Sequence, residues 1–164
     1  MVCGFGLAVA GAGAAHAIAR HRPSRLVLVG SAGSYDLARA PVGSAVIASA
    51  VRCHGIGAGE LSAAELGWVE SDQIELGGGG GLVLSVASAS ATPAEAANRL
   101  RKHPRAVVEE MEGYAIAVAA TLFEVPLTVV RGVSNVAGDR DQANWSMPAA
   151  LGAARVVVGS MLGR

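Results

Sequence analysis

The sequence contains few charged residues, few aromatic residues and no imbalance of charge. Charged residues make up 16% and aromatic residues 4% of the 164 positions. The 13 Lys and Arg residues balance the 13 Asp and Glu residues, so no overall field attracts nucleic acid or anionic lipid. Few aromatic rings are available to stack on single-stranded nucleic acid. We therefore expect no nucleic-acid partner and no membrane partner.

Cysteine is also scarce, and long apolar runs are absent. Cys3 and Cys53 form no spaced set with histidines or with other cysteines. That spacing indicates neither a disulfide framework nor a metal site, so we expect reduced thiols in the cytoplasm, no metal and no cofactor. Gly, His and Arg interrupt every apolar run before it reaches the length that spans a membrane. The first 20 residues lack a basic leader, so we predict no signal peptide.

Hydrophobic residues are abundant, at 52% of the chain. A chain of this length suits one domain with a sizeable core, and we predict a single domain over residues 1–164. Apolar runs typical of buried strands alternate with Ala-rich segments typical of helices, which predicts an α/β fold with a largely parallel or mixed sheet. The low charge favours burial of part of the surface in a homo-oligomer, a dimer or larger.

The boundaries of the predicted helices and strands follow from the apolar runs and from the glycine, proline and polar residues that interrupt them. We predict strands at residues 25–30, 42–52, 82–87, 106–109 and 127–133. Helices are predicted within residues 4–22, from Pro93 to the His103-Pro104 break, at residues 111–123 and at residues 147–162, with Thr92 as a cap. The glycine-rich residues 55–81 and the polar residues 134–144 are predicted to be loops.

Carboxylates crowd the predicted strand-to-helix junction at residues 109–112. Strand alternation puts Glu109 and Glu110 on opposite faces, so at most one of them joins Glu112 in a site. Arg131 lies in the apolar segment TVVRGV and needs a partner, because a lone charge in a buried strand costs several kcal/mol. Glu110 is the natural candidate. The residues alone leave open whether that pair is structural or functional.

A small-residue segment, GSAGSYD, follows the first predicted strand. Gly30 and Gly33 allow close backbone approach, and Ser31 offers a hydroxyl group. In an open α/β sheet, the loops at the carboxyl ends of strands form the ligand crevice. A plain turn rich in small residues fits the pattern equally well.

Several motifs together resemble the nucleoside phosphorylase and nucleosidase superfamily. MEGYAIA, then VP, then VVRGVSN carry the resemblance, and GFG at residues 4–6 and GSAG at residues 30–33 fall in the required order. The resemblance implies a three-layer α/β/α fold with a mixed central sheet, homo-oligomers and a small purine nucleoside as ligand. It also implies a chain shortened at its N-terminus, because the family's first strand, whose loop carries the water-activating acid, precedes the GFG segment.

The resemblance assigns roles to individual residues. Met111 would pack on the ribose, and Glu112 would accept hydrogen bonds from its 2′ and 3′ hydroxyls, which suits the two oxygens of a carboxylate. Arg131 and Glu110 would form a supporting pair, and Asn135 would face the purine edge. The catalytic set is therefore Glu110, Glu112, Arg131 and Asn135. The other substrate-binding residues, which border the sugar, the nucleophile and the base, would be Phe5, Ser31, Ala32, Gly33, Ala89, Ser90 and Ser134.

One departure from the family pattern concerns the base. Adenine-specific nucleosidases of this superfamily carry Asp where this chain has Asn135. A 6-oxopurine presents two acceptors, N7 and O6, and an amide NH₂ can donate to both. Asn135 therefore predicts hypoxanthine or guanine rather than adenine, unless it only stabilises a turn.

A second departure concerns phosphate. Bacterial-type phosphorylases of the superfamily place an Arg three residues before the serine of the GSxG loop, where this chain has Leu28. An apolar side chain does not neutralise a phosphate dianion. Water is therefore the predicted nucleophile, and hydrolysis the predicted reaction.

The segment SNVAGDRDQANW most resembles the futalosine hydrolases. Those enzymes remove hypoxanthine from futalosine in an alternative menaquinone pathway and leave dehypoxanthine futalosine. Asp139 and Asp141 are candidate proton donors in this segment. Three alternatives stay open: an adenine nucleosidase acting on methylthioadenosine or S-adenosylhomocysteine, a purine nucleoside phosphorylase, and an inactive purine-binding module that lacks the water-activating acid.

Overall fold

Helices and strands alternate along the chain in a computed structural model, which describes residues 1–163. The helices are α1 (Gly6–His21), α2 (Pro93–Lys102), α3 (Gly113–Leu122) and α4 (Met147–Met161). The strands are β1 (Leu26–Ser34), β2 (Ala45–Ile47), β3 (Ala50–Cys53), β4 (Gly57–Ala58), β5 (Leu61–Ser62), β6 (Gln73–Glu75), β7 (Leu82–Ser85), β8 (Ala106–Glu110) and β9 (Leu127–Val136). In this part of the chain, no helix is both long enough and apolar enough to cross a bilayer.

Seven of the strands form one mixed sheet, in the order β2-β9-β1-β8-β7-β3-β6. The pairs β1–β9, β3–β7 and β7–β8 are parallel, whereas β2–β9, β1–β8 and β3–β6 are antiparallel. Strands β4 and β5 form a separate two-stranded sheet. The prediction of an α/β fold with a mixed central sheet is confirmed.

Helices cover both faces of the sheet. Val129 and Val133 on β9 share a buried cluster with Ile18 of α1 and Ile116 of α3. Gly132, which alternates with them along the strand, faces α4 so closely that a Cβ would lie 2.1 Å from the carbonyl oxygen of Ala150. Helices α1 and α3 therefore pack on one face and α4 on the other, which gives the predicted three layers.

The helices begin and end close to the residues predicted to start and stop them. Thr92 caps α2, where its hydroxyl accepts a hydrogen bond from the backbone N–H of Glu95 at 3.2 Å, and Pro93 opens the helix. Helix α1 ends at Arg22, whose φ of 44° lies in the left-handed region. Each of the four predicted helices is present, with bounds that differ by a few residues.

Four predictions about the elements were wrong. The predicted loop at residues 55–81 contains the short strands β4, β5 and β6, because each of them finds a pairing partner in the folded chain. The single strand predicted at residues 42–52 is two strands, because the chain crosses the sheet between them: β2 pairs with β9, whereas β3 lies between β7 and β6. The predicted loops after residues 30 and 133 begin as strand, since β1 continues to Ser34 and β9 to Val136. These two strands pair with each other along their whole length, with a bulge between Ala32 and Gly33, and the pairing extends both.

Two histidines connect the loop after β3 to the end of α2. His54 Nδ1 lies 3.0 Å from His103 Nε2, a contact in which one ring donates and the other accepts. Burial, followed by the charge of Arg52, lowers the pKa of His103 from 6.5 to about 4. Burial also lowers the pKa of His54. The pair therefore favours the neutral form of both rings.

We expect this pair to make the protein less stable in mild acid. Between pH 6.5 and about 4, the unfolded chain binds a proton at His103 that the folded chain does not, so the free energy of unfolding falls as the pH falls. The expected loss is about 1 to 2 kcal/mol, less than the full shift because water reaches part of the pair. Urea unfolding at a series of pH values should show a shallower loss in His103→Gln. His16→Gln, on the exposed face of α1, is the control; an equal slope in wild type and His103→Gln would contradict the prediction.

Candidate functional site

A cavity of about 320 Å³ opens where β1, β8 and β9 end. It brings together nine of the ten residues predicted to bind substrate, although they come from five separate segments of the chain. These nine are Phe5, Ser31, Ala32, Gly33, Ala89, Met111, Glu112, Ser134 and Asn135. The tenth, Ser90, is fully buried behind the wall. The lining also includes Glu109, Glu110, Arg140, Gln142 and Trp145. The expectation that at most one of Glu109 and Glu110 would join Glu112 was wrong, because both residues at the end of β8 border the cavity.

Glu110 and Arg131 form the predicted ion pair directly beneath this cavity. Arg131, 2% exposed, contacts the Glu110 carboxylate through Nη2, which also lies 3.4 Å from Glu112 Oε2. The Glu110 carboxylate also accepts hydrogen bonds from two backbone N–H groups, those of Glu112 at 2.9 Å and of Gly113 at 2.8 Å. The hydroxyl of Ser85 donates a further hydrogen bond to it. The pair therefore fixes the first turn of α3, and with it the position of Glu112.

Gly30 makes room for this ion pair. It is the register partner of Arg131 on the neighbouring strand, and a Cβ at Gly30 would lie 1.9 Å from Arg131 Nη1. The glycine predicted to allow close approach of a ligand thus allows close approach of a guanidinium group.

Glu112 is the cavity carboxylate with free acceptor capacity. Its Oε1 accepts the backbone N–H of Gly6 at 3.1 Å, and its side chain is 16% exposed. The carboxylates of Glu109 and Glu110, by contrast, are each surrounded by donors of the protein. Among the carboxylates that line the cavity within residues 1–163, Glu112 is therefore the one positioned to bind the hydroxyls of a ligand.

Glu109 anchors a second buried network that the sequence analysis missed. Its carboxylate accepts hydrogen bonds from the Tyr35 hydroxyl at 2.5 Å, from the Ser90 N–H at 2.8 Å and hydroxyl at 2.7 Å, and from Arg99 at 3.1 Å. Burial, and then the charge of Glu109, raise the pKa of Tyr35. Ser90 therefore holds the wall that carries Ala89, and its own polar groups do not face the cavity. The available signal was the position of Glu109 at the end of an apolar strand, where a buried charge needs a partner, as at Arg131.

Asn135 lies in the cavity wall, 7% exposed. Its Oδ1 accepts the hydroxyl of Ser134 at 2.8 Å, and its Nδ2 donates to the carbonyl oxygens of Val136 at 2.8 Å and Asp139 at 3.4 Å. Both amide hydrogens, which the sequence analysis directed at a purine, thus have acceptors in the protein.

The loop after β9 contributes three residues to the cavity that were not predicted. Arg140 stacks over Trp145, with its Cζ 4.9 Å from the ring centroid. Gln142 lies between them in the chain, and the indole N–H of Trp145 donates to the Asp139 carbonyl at 3.1 Å. Polar and aromatic residues directly after a buried strand were the available signal, but the sequence does not show which of them turn inward.

The candidate proton donors in this loop do not line the cavity. The Asp139 carboxylate accepts the backbone N–H of Asp141 at 3.0 Å and the side chain of Asn144 at 2.9 Å. Asp141 accepts the backbone N–H of Ala143 at 3.0 Å. Both carboxylates therefore stabilise the loop itself.

Comparison with known proteins identifies the family. A model of the phosphorylase superfamily matches residues 62–161, which is more than half of the chain. The chain belongs to the phosphorylase superfamily. Two similar proteins are a hydrolase and a nucleosidase by name. Futalosine hydrolase from Streptomyces coelicolor is 35% identical over 155 residues, covering 85% of this chain and 66% of the relative. The 5′-methylthioadenosine/S-adenosylhomocysteine nucleosidase from Maridesulfovibrio salexigens is 29% identical over 155 residues. That match covers 82% of this chain and 66% of the relative.

The chain therefore spans about two thirds of the length of these two relatives. Its fold also matches the native structure of futalosine hydrolase from Helicobacter pylori. The TM-score is 0.80 at 16% identity, and the match covers 99% of this chain and 78% of that one. At this identity the likeness establishes the fold, and it agrees with the predicted nucleoside phosphorylase-like architecture.

Proposed function

We propose that this superfamily member hydrolyses the N-glycosidic bond of a 6-oxopurine nucleoside. Futalosine is the first candidate, with hypoxanthine and dehypoxanthine futalosine as products in menaquinone biosynthesis. The observation that carries the proposal is the convergence of nine predicted residues on one cavity around the available carboxylate of Glu112. The 35% identity to a protein named futalosine hydrolase supports the choice of substrate.

The proposed mechanism passes through an oxocarbenium-like ribose. The bond between C1′ and the purine nitrogen breaks with its electron pair on the purine, and water adds to C1′. One proton of that water reaches the purine, and the other stays on the new C1′ hydroxyl. Glu112 accepts hydrogen bonds from the 2′ and 3′ hydroxyls and stabilises the positive charge that develops on the sugar. Phe5 and Met111, which border the same cavity, exclude water from the apolar parts of the nucleoside.

Charge in the site favours water over phosphate as the nucleophile. The buried guanidinium of Arg131 lies next to the GSAG segment, but Glu110 already neutralises it. Leu28, which replaces the phosphate-binding Arg of the related phosphorylases, offers no charge. Neither Arg131 nor Leu28 therefore supplies a free cation to a dianion bound beside Ser31.

The proposed function is tested by incubating the purified protein with futalosine and measuring the released base by chromatography. We expect hypoxanthine at a rate that does not change when phosphate is added or removed. Strict dependence on phosphate would instead identify a phosphorylase, and faster release of adenine from methylthioadenosine would identify an adenine nucleosidase. Binding of inosine without release of any base would support the purine-binding module and contradict the proposal.

A further inference from the structure

The structure leaves the purine edge of the cavity without the donors that the sequence analysis assigned to it. A 6-oxopurine presents N7 and O6 side by side, and both are acceptors. The two hydrogens of the Asn135 amide already have acceptors, the carbonyl oxygens of Val136 and Asp139. Turning the amide over would not release them, because Oδ1 would then face those two carbonyl oxygens. In this arrangement Asn135 has no amide hydrogen left to donate to a base.

Arg140 is a donor in the same wall to which the sequence assigned no role. The Asp139 carbonyl accepts from both the Asn135 amide and the Trp145 indole, so it places the indole beside Asn135. Arg140 stacks on that indole and lines the same cavity. This contact with the face of the indole holds the guanidinium at the cavity wall, and none of its N–H groups donates to an acceptor within residues 1–163.

The charge of Arg140 is not neutralised within residues 1–163. No carboxylate lies within 4.0 Å of its guanidinium nitrogens in this part of the chain. The two neighbouring acids, Asp139 and Asp141, direct their carboxylates at N–H groups of their own loop. The donors of Arg140 are therefore available to a ligand.

We propose that Arg140 is the residue that selects the purine, an inference that rests on the proposed function for the identity of the site. Two parallel N–H groups of its guanidinium donate to O6 and N7, and Trp145 holds the guanidinium in position. Adenine presents an NH₂ donor where hypoxanthine presents O6, so it places a donor against a donor. Arg140 thereby both binds a 6-oxopurine and rejects adenine.

The test compares the affinities of free hypoxanthine and free adenine by calorimetry in wild type, Arg140→Gln and Arg140→Lys. We expect wild type to prefer hypoxanthine, and Arg140→Gln to bind hypoxanthine about 10- to 100-fold more weakly with little change for adenine. Lysine keeps the charge but not the planar pair of donors, so Arg140→Lys should not restore the preference. Arg155→Gln, an exposed arginine on α4, is the matched control and should behave as wild type.

Binding of the free bases separates this inference from the proposed function. A preference for hypoxanthine that Arg140→Gln abolishes supports the inference even if the protein releases no base from futalosine. Wild type without a preference, Arg140→Gln with the wild-type preference, or full rescue by Arg140→Lys would each overturn it. Because Arg140 is exposed, its substitution should leave the urea unfolding midpoint unchanged, which excludes loss of folding as the cause.

Discussion

Replacing Glu112 with glutamine is expected to lower kcat/KM for nucleoside hydrolysis by about 100- to 1,000-fold, with most of the loss in kcat. The amide keeps the shape of the side chain but loses the negative charge that stabilises the oxocarbenium-like ribose. It also offers one acceptor oxygen, whereas the carboxylate offers two to the 2′ and 3′ hydroxyls. Release of the base from futalosine, measured at several substrate concentrations, separates kcat from KM.

The same substitution should leave the fold intact. Glu112 is partly exposed, and the firm partner of Arg131 is Glu110, so the free energy of unfolding should change by less than about 1 kcal/mol. Glu70→Gln, an exposed glutamate that does not line the cavity, is the control for the change of charge. Turnover by Glu112→Gln within threefold of wild type would contradict the role proposed for this carboxylate.

Replacing Arg131 with methionine is expected to lower the free energy of unfolding by about 3 to 5 kcal/mol. The substitution leaves the buried Glu110 carboxylate without its cation, although Ser85 and two backbone N–H groups still bind it. Urea unfolding followed by circular dichroism measures the loss. Arg155→Met, on the exposed surface of α4, should cost much less.

The double variant Arg131→Met/Glu110→Gln distinguishes a lost ion pair from lost packing. A neutral glutamine no longer needs the cation, so the double variant should recover part of the stability that Arg131→Met alone loses. If the two substitutions instead add without recovery, the stability comes from the packing of the long Arg131 side chain and not from its charge.

The elements of the fold were predictable where local chemistry decides them. Pro93 and Thr92 determine how α2 starts, and β7 (Leu82–Ser85) lies within the apolar run predicted at residues 82–87. The split of residues 42–52 was not predictable, because both halves have the same β-favouring composition. Only their partners, β9 for one and β7 for the other, separate them, and those partners are distant in sequence.

In the candidate site, too, some contacts were predictable from the sequence and others depended on partners that are distant in the chain. The pairing of Glu110 with Arg131 was predictable from the cost of a lone buried charge, and the structure confirms it. Glu109 satisfied the same criterion but its partners, Tyr35 and Arg99, lie in segments with no motif to connect them. The contribution of Arg140 was hidden because a polar loop does not reveal which of its side chains turns inward.

By itself the sequence determined the class of the fold, the order of its main elements, the family and most of the residues that meet in the cavity. These depend on residue type and short-range spacing, which the chain carries directly. Only the tertiary structure decided where the hydrogen-bond donors point. The amide of Asn135 looks free to read a purine in the sequence, but the carbonyl oxygens of Val136 and Asp139 already accept its hydrogens. Hydrogen bonds are directional and each donor serves few acceptors, so the role of a polar residue depends on neighbours that only folding brings within 3.5 Å.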